Sequence, residues 1–224
     1  MIARLLKQSL IGLGALGVLL FVPAGTLYWP AAWLLLVTMT ILGFSSGLWL
    51  AKTDPELLAE RMSQMMQADQ LKADKIFVMA FAATALIWFV VMGLDRRFQA
   101  SHVPPALQAI GLLMLVSSIG AMMWVMRKNS FAVPVVKVQT ERGQHVIDTG
   151  PYAYVRHPMY SAVVVLFVSV PIELGSWWGV AMAPPFVVLF AIRAVIEERA
   201  LEAGLPGYAN YIARVRYRLL PGLW

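Results

Sequence analysis

The sequence predicts an all-α integral membrane protein with five to six transmembrane helices, and three observations carry that expectation. Hydrophobic residues fill 60% of the 224 positions, charged residues only 13%, and the mean hydropathy is +0.71. Such a chain would expose too much apolar surface to water as a globular domain, so lipid is its natural solvent. The apolar residues fall into six runs near the roughly 20 residues that a helix needs to cross the hydrocarbon core. These are about 10–28, 31–50, 76–94, 106–126, 158–172 and 177–196. Finally, Lys and Arg gather between alternate runs, as expected of a chain whose basic flanks stay on one side of a bilayer.

The first run follows Arg4 and Lys7, a plan shared with secretory leaders. It is too long for one and no small-residue cleavage pattern follows it, so it reads as a span. After the second run, residues 52–75 mix Asp54, Glu56, Glu60, Asp69 and Asp74 with four basic residues, and Pro55 suits a first helical turn. An amphipathic helix lying against the membrane is expected there. Residues 127–156 carry Val135, Val136 and Val138, then Glu141-Arg142-Gly143, then Val146 and Ile147, which suggests two short extended pieces around a turn. The fifth run is short. The break at 171–176 folds runs five and six into a hairpin that crosses fully or as a re-entrant element. At 206–215, Tyr208, Tyr211, Ile212 and Val215 recur at helical spacing, giving a helix with one apolar face that packs back onto the span ends. No repeat or linker divides the chain, so it reads as one membrane domain: four spans in 1–126 and the motif-bearing part in 127–224.

With the N-terminus inside, all but Arg96 and Arg97 of the 18 Lys and Arg residues fall on the cytoplasmic side. This supports six crossings of the plasma (inner) membrane, with both termini and the 150–160 cluster facing the cytoplasm. The net charge of +6 is then a topology signal and an attraction to anionic membrane lipids, and calls for no nucleic acid. The absence of Cys excludes disulfides, thiolate metal sites and a Cys nucleophile.

Gly12, Gly14 and Gly17 match G-x-G-x-x-G, but inside a span they cannot form a phosphate loop between strand and helix. Close helix packing explains them better, as it does Gly43 and Gly47. Residues 150–160 read Gly-Pro-Tyr-Ala-Tyr-Val-Arg-His-Pro-Met-Tyr directly before an apolar run. Pro158 suits a helix start, whereas His157 is left unexplained by that. Tyr152, Tyr154 and Tyr160 fit an interfacial aromatic belt as well as a site, and Trp177 and Trp178 fit a belt at the opposite face. Glu197 and Glu198 end a helix where the macrodipole prefers cations. Arg193 sits one turn earlier, so the pair serves either an ion pair with Arg193 or a binding site. The histidines at 102, 145 and 157 lack metal-ligand spacing, and no G-x-S-x-G elbow occurs, so no metal is expected. The pattern points to a reaction that needs positioning and electrostatics.

Gln139, residues 144–147, Gly150, Tyr152, residues 156–160, Arg193, Glu197, Glu198, Tyr208, Tyr211 and Arg214, taken in order, resemble the isoprenylcysteine carboxyl methyltransferase family over roughly 139–224. Membrane enzymes that methylate phospholipid amines share much of this pattern. The resemblance implies an S-adenosyl-L-methionine-dependent methyltransferase with a cytoplasm-facing cofactor pocket and a lipophilic or lipid-modified substrate arriving from the bilayer. It implies cofactor contacts at Gln139, Gln144, His145, Val146, Ile147, Tyr152, His157, Pro158, Met159, Tyr160, Glu197 and Glu198, with Arg193 and Arg214 at the substrate and Arg193 orienting the reacting group. The stretch from Gln139 to Gln144 is shorter than in eukaryotic members, and the chain has fewer spans.

Methyl transfer from a sulfonium is an in-line displacement that needs alignment and no covalent enzyme intermediate. A carboxylate acceptor, already ionised, needs only an arginine to orient it; an amine acceptor must first lose its proton. Three functions are therefore carried forward: carboxylate O-methylation, phospholipid amine N-methylation, and a non-enzymatic transporter or scaffold. The last is weakened by the near-absence of charges in the middle of the spans.

Overall fold

A computed structural model of the chain describes residues 1–64, 66–67 and 70–224, and Met65, Ala68 and Asp69 lie outside the described residues. The helices, in order, are α1 (Ile2–Ala24), α2 (Pro30–Thr53), α3 (Pro55–Arg61), α4 (Lys72–Phe98), α5 (Pro105–Lys128), α6 (Pro158–Leu174), α7 (Trp177–Ala181), α8 (Ala183–Gly204) and α9 (Tyr208–Arg214). Proline opens α2, α3, α5 and α6, where its missing N–H costs nothing. Asp54 caps α3 by accepting from the Leu57 amide at 3.0 Å.

Five segments are long and apolar enough to cross a bilayer: Ile2–Ala24, Pro30–Thr53, Lys72–Phe98, Pro105–Lys128 and Trp177–Gly204. The 17-residue α6 is about 26 Å long, slightly short of the roughly 30 Å core. The expected hairpin joins it to α7 and α8. Gly175 turns the chain at φ 83, which a side chain would strain, and Ser176 caps α7 by accepting from the Gly179 amide at 3.0 Å.

An aromatic stack ties the bundle together. Phe167 of α6 lies on Phe186 of α8 at 3.9 Å between ring centroids, and Trp88 of α4 meets both edge-on. The Trp88 indole donates to the Gly179 carbonyl at 2.8 Å, which satisfies its polar atom inside the core. The helix ends sort into two faces. At one, Arg4 of α1 donates to the Met62 carbonyl after α3. At the other, Arg96 of α4 donates to the Tyr28 carbonyl between α1 and α2, and the Trp177 amide donates to Ser101 before α5.

Three local expectations change. No strand forms among the described residues: Val135 and Val136 are buried, and the 129–149 stretch is held by side-chain hydrogen bonds and a 3-10 turn at Thr140–Arg142. Among the described residues, the expected surface helix of 52–75 is α3 plus the start of α4. Leu57 and Leu58 bury themselves against Leu5, Leu50 and Met126, so α3 packs on the bundle rather than along lipid. Of the five glycines read as packing positions, only Gly47 sits in a close contact, where a Cβ would come 2.7 Å from Leu5; Gly12, Gly14 and Gly43 face open space. Among the glycines, the tightest surroundings are at Gly111 of α5, where a Cβ would lie 2.5 Å from the Glu173 amide nitrogen of α6.

Candidate active site

A cleft opens at the face where α1 begins and α2, α5 and α8 end. It encloses about 690 Å³ of empty space, counted to its open mouth. Three stretches build it: the loop after α5, the turn from Tyr152 into α6, and the end of α8 with α9. Its wall includes Gln144, His145, Val146, Ile147, Tyr152, His157, Met159, Tyr160 and Glu197. Separate sequence motifs thus converge on one cavity.

Glu197 and Glu198, adjacent on α8, do different work. Glu197 Oε2 accepts from the Tyr160 hydroxyl at 2.5 Å and lies 3.4 Å from His157 Nδ1. Its Oε1 takes no hydrogen bond among the described residues, and the side chain is 30% exposed, enough to meet a ligand. Glu198 is buried beneath. Its Oε1 lies 2.6 Å from Arg156 Nε and 3.2 Å from His157 Nε2, and its Oε2 lies 2.8 Å from Arg218 Nε. His157 therefore has a carboxylate at each ring nitrogen, and its ring stacks on Tyr160 with centroids 5.3 Å apart. Burial works against charging it. The two glutamates more than offset that and raise its pKa above the usual 6.5, favouring an imidazolium that donates to both.

Tyrosines hold the opposite wall. The Tyr152 hydroxyl accepts from Asn129 Nδ2 at 2.7 Å, and the Tyr211 hydroxyl donates to the Tyr152 carbonyl at 2.8 Å. Burial raises the pKa of Tyr152, Tyr208 and Tyr211, so all three remain phenols. Alongside them, Val146 and Ile147 keep their backbone N–H and C=O groups free of hydrogen bonds among the described residues. An unused backbone edge and an unused carboxylate oxygen on an apolar and aromatic wall can hold a ligand that is flat at one end and rich in hydroxyls or amines at the other.

The remaining sequence candidates lie elsewhere. Gln139 is buried behind the cleft, donating to the Phe131 carbonyl at 2.9 Å and accepting from Arg142 at 2.5 Å. Pro158 is the buried first residue of α6 and lines a separate groove with Trp124, Tyr154 and Leu219. Glu198 holds the cations beneath the wall. Arg214 is exposed and pairs with Asp148 at 2.8 Å. Arg193 does not pair with Glu197. Its Nε lies 3.2 Å from Asp74 Oδ1, a Coulombic contact not aligned as a hydrogen bond, and its Nη2 donates to the Pro134 carbonyl. Its guanidinium covers the Phe77 ring at 4.4 Å and approaches the Tyr160 ring at 5.8 Å.

Asn129, Phe131, Arg156 and Asp74 have roles here that no sequence motif points to. Asn129 and Phe131 line the cleft from the loop whose shape the valine pattern misstated. Asp74 carried a signal: a carboxylate in the first turn of a strongly apolar helix.

A family profile describing phospholipid methyltransferases matches residues 107–205, which hold most of the cleft wall. No curated protein matches the sequence. Among solved structures, the chain is similar to the eukaryotic intramembrane Ras methyltransferase, isoprenylcysteine carboxyl methyltransferase, in its structure without a monobody. The TM-score is 0.59 at 19% identity, over 91% of this chain and 71% of that one. The match to the phospholipid methyltransferase profile thus spans the segment that builds most of the cleft, and the fold of the chain is similar to that of an intramembrane methyltransferase.

Proposed function

We propose that the chain transfers a methyl group from S-adenosylmethionine to a lipophilic acceptor that reaches the cleft from the bilayer. The observation that carries this reading is the pairing, in one cleft, of unused backbone groups at Val146 and Ile147 with the unused Oε1 of Glu197. When bound, the cofactor supplies an electrophilic methyl on a sulfonium. The backbone edge at 146–147 suits the base of the cofactor, and Glu197 suits its ribose hydroxyls or amino group. A carboxylate beside the sulfur would stabilise the ground state more than the transition state, so Glu197 serves best away from the methyl. His157 and Tyr160 hold that carboxylate in place through Oε2. Gln139, Pro158 and Glu198 act from behind the wall.

The resemblance assigns Arg193 and Arg214 to the acceptor, with Arg193 gripping a carboxylate. One observation favours a second reading. Asp74 already offsets the Arg193 charge, Nη2 donates to the Pro134 carbonyl, and Arg193 is not among the residues that line the cleft, so an acceptor carboxylate would gain little from it. An amine acceptor needs no such cation. It needs only to lose its proton before transfer. The distribution of Lys and Arg further supports a cleft and two termini on the cytoplasmic side of the inner membrane.

The test is transfer of labelled methyl from S-adenosylmethionine by the purified protein in lipid nanodiscs. Label in lipid-extractable, base-stable product supports amine methylation, and label released as methanol by base supports the carboxylate reading. Absence of label from every lipophilic fraction, in protein that binds the cofactor, would remove the lipophilic acceptor.

A further inference from the structure

The cleft loop carries no regular hydrogen-bonded structure across 129–139, yet Val135, Val136 and Gln139 are each 3% exposed or less. Something other than a ladder fixes it. Its polar ties run to the stretch before and at the start of α4, which the family match leaves out. The Arg61 guanidinium donates to the Ala132 carbonyl at 2.7 Å, and Lys137 lies 3.0 Å from Glu60. At the centre sits Asp74, fully buried. Its Oδ2 accepts from the Val136 amide at 2.9 Å and from Gln70 at 2.7 Å. Its partner Arg193 reaches the same loop two residues earlier, at the Pro134 carbonyl. The ion pair therefore grips the loop backbone with both members, one taking an N–H and the other a C=O.

We propose that Asp74 is a positioning residue for the cleft: with Arg193 it forms a buried bracket that fixes the loop between α4 and α8 and so sets the wall from Phe131 to Ile147. The proposal rests on the reading that this cleft binds S-adenosylmethionine. Each charge is buried, so each needs the other. The loop's position then depends on a helix of the N-terminal half, and Arg193 becomes a structural cation of the wall rather than a free hand for substrate.

The experiment compares Asp74→Asn and Arg193→Lys with Asp95→Asn, a buried carboxylate at the other end of α4 that touches no cleft residue. Two readouts are taken on folded protein in detergent: the dissociation constant of S-adenosylhomocysteine and hydrogen exchange of peptides covering 129–147. The bracket predicts that both cleft-end variants weaken binding by at least about tenfold and speed exchange in that loop, while Asp95→Asn does neither, even if it melts earlier. The charge-conserving Asp74→Glu should bind more tightly than Asp74→Asn, because a carboxylate is kept opposite Arg193. Unchanged affinity and exchange in folded Asp74→Asn would overturn the bracket. If the wild type fails to bind the ligand, the cofactor reading fails while exchange still tests the bracket. If no substituted protein folds, the wild type decides: slow exchange of the 133–137 peptide without ligand supports the bracket, and exchange as fast as at the chain ends overturns it.

Discussion

Helix α4 buries a carboxylate at each end, and the two are solved differently. Asp74, in the first turn, lies with the helix dipole, faces a guanidinium across Oδ1 and accepts from a loop amide and Gln70 at Oδ2. Asp95, in the last turn, lies against the dipole, beside Arg96 and Arg97, and its Oδ2 accepts from the hydroxyls of Ser101 and Ser176. The first set reaches across the chain to the cleft wall. The second joins the α4–α5 connection to the α6–α7 turn and ends there. Similar burial thus serves a site at one end and loop closure at the other.

The largest effect expected from breaking this contrast is on stability at the cleft end. Asp74→Ala strands the Arg193 charge among Phe77, Tyr160 and backbone, at a cost of about 3–5 kcal/mol. Asp95→Asn leaves a side chain that still bonds both serines, and should cost about 1–3 kcal/mol. Denaturant unfolding in detergent measures both. Equal losses would mean that the two ends are energetically alike.

A pH titration sharpens the contrast further, because the cleft end also holds His157. Its folded pKa is raised above 6.5, so its contribution to stability is fully present below that value and is lost as pH rises through the folded pKa. Melting temperatures from about pH 6 to about pH 9 should fall in the wild type, and His157→Gln should flatten that part of the curve. A parallel decline in both proteins would contradict the paired imidazolium.

The smallest effect lies at the rim. Arg214 and Asp148 are substantially exposed, with side chains 64% and 37% accessible, so Arg214→Ala should change stability by less than about 1 kcal/mol. A larger loss in the same unfolding assay would show that α9 depends on this pair.

Much of this was legible in the sequence for one physical reason: periodicity and short motifs are local. Run lengths located every spanning helix, and the Pro171 to Ser176 break located the hairpin. Residues 144–147, 152, 157, 160 and 197 lie in compact motifs, and the chain brings all of them to one cleft. Within 127–156 the valines at 135, 136, 138 and 146 suggest two extended pieces around a turn, because apolar runs outside a helix normally pair as strands. Here Asp74, Asn129 and Gln144 side chains take the backbone N–H groups instead. Asp74 and Arg193 are distant in sequence, so nothing local joins them, whereas the nearer candidate, Glu197, stood at an ideal helical spacing from Arg193 and proved to face His157 and Tyr160.

The central claim is that the cleft holds S-adenosylmethionine with Glu197 as its acidic anchor, and isothermal titration of the detergent-purified protein with S-adenosylhomocysteine tests it most directly. Glu197→Gln keeps the shape and removes the charge, so it should cost about 1.5–3 kcal/mol, or about 10- to 150-fold in affinity. The account predicts saturable one-site binding by the wild type and that loss in the variant. No saturable binding by folded wild-type protein, or equal affinity in the two proteins, would contradict it.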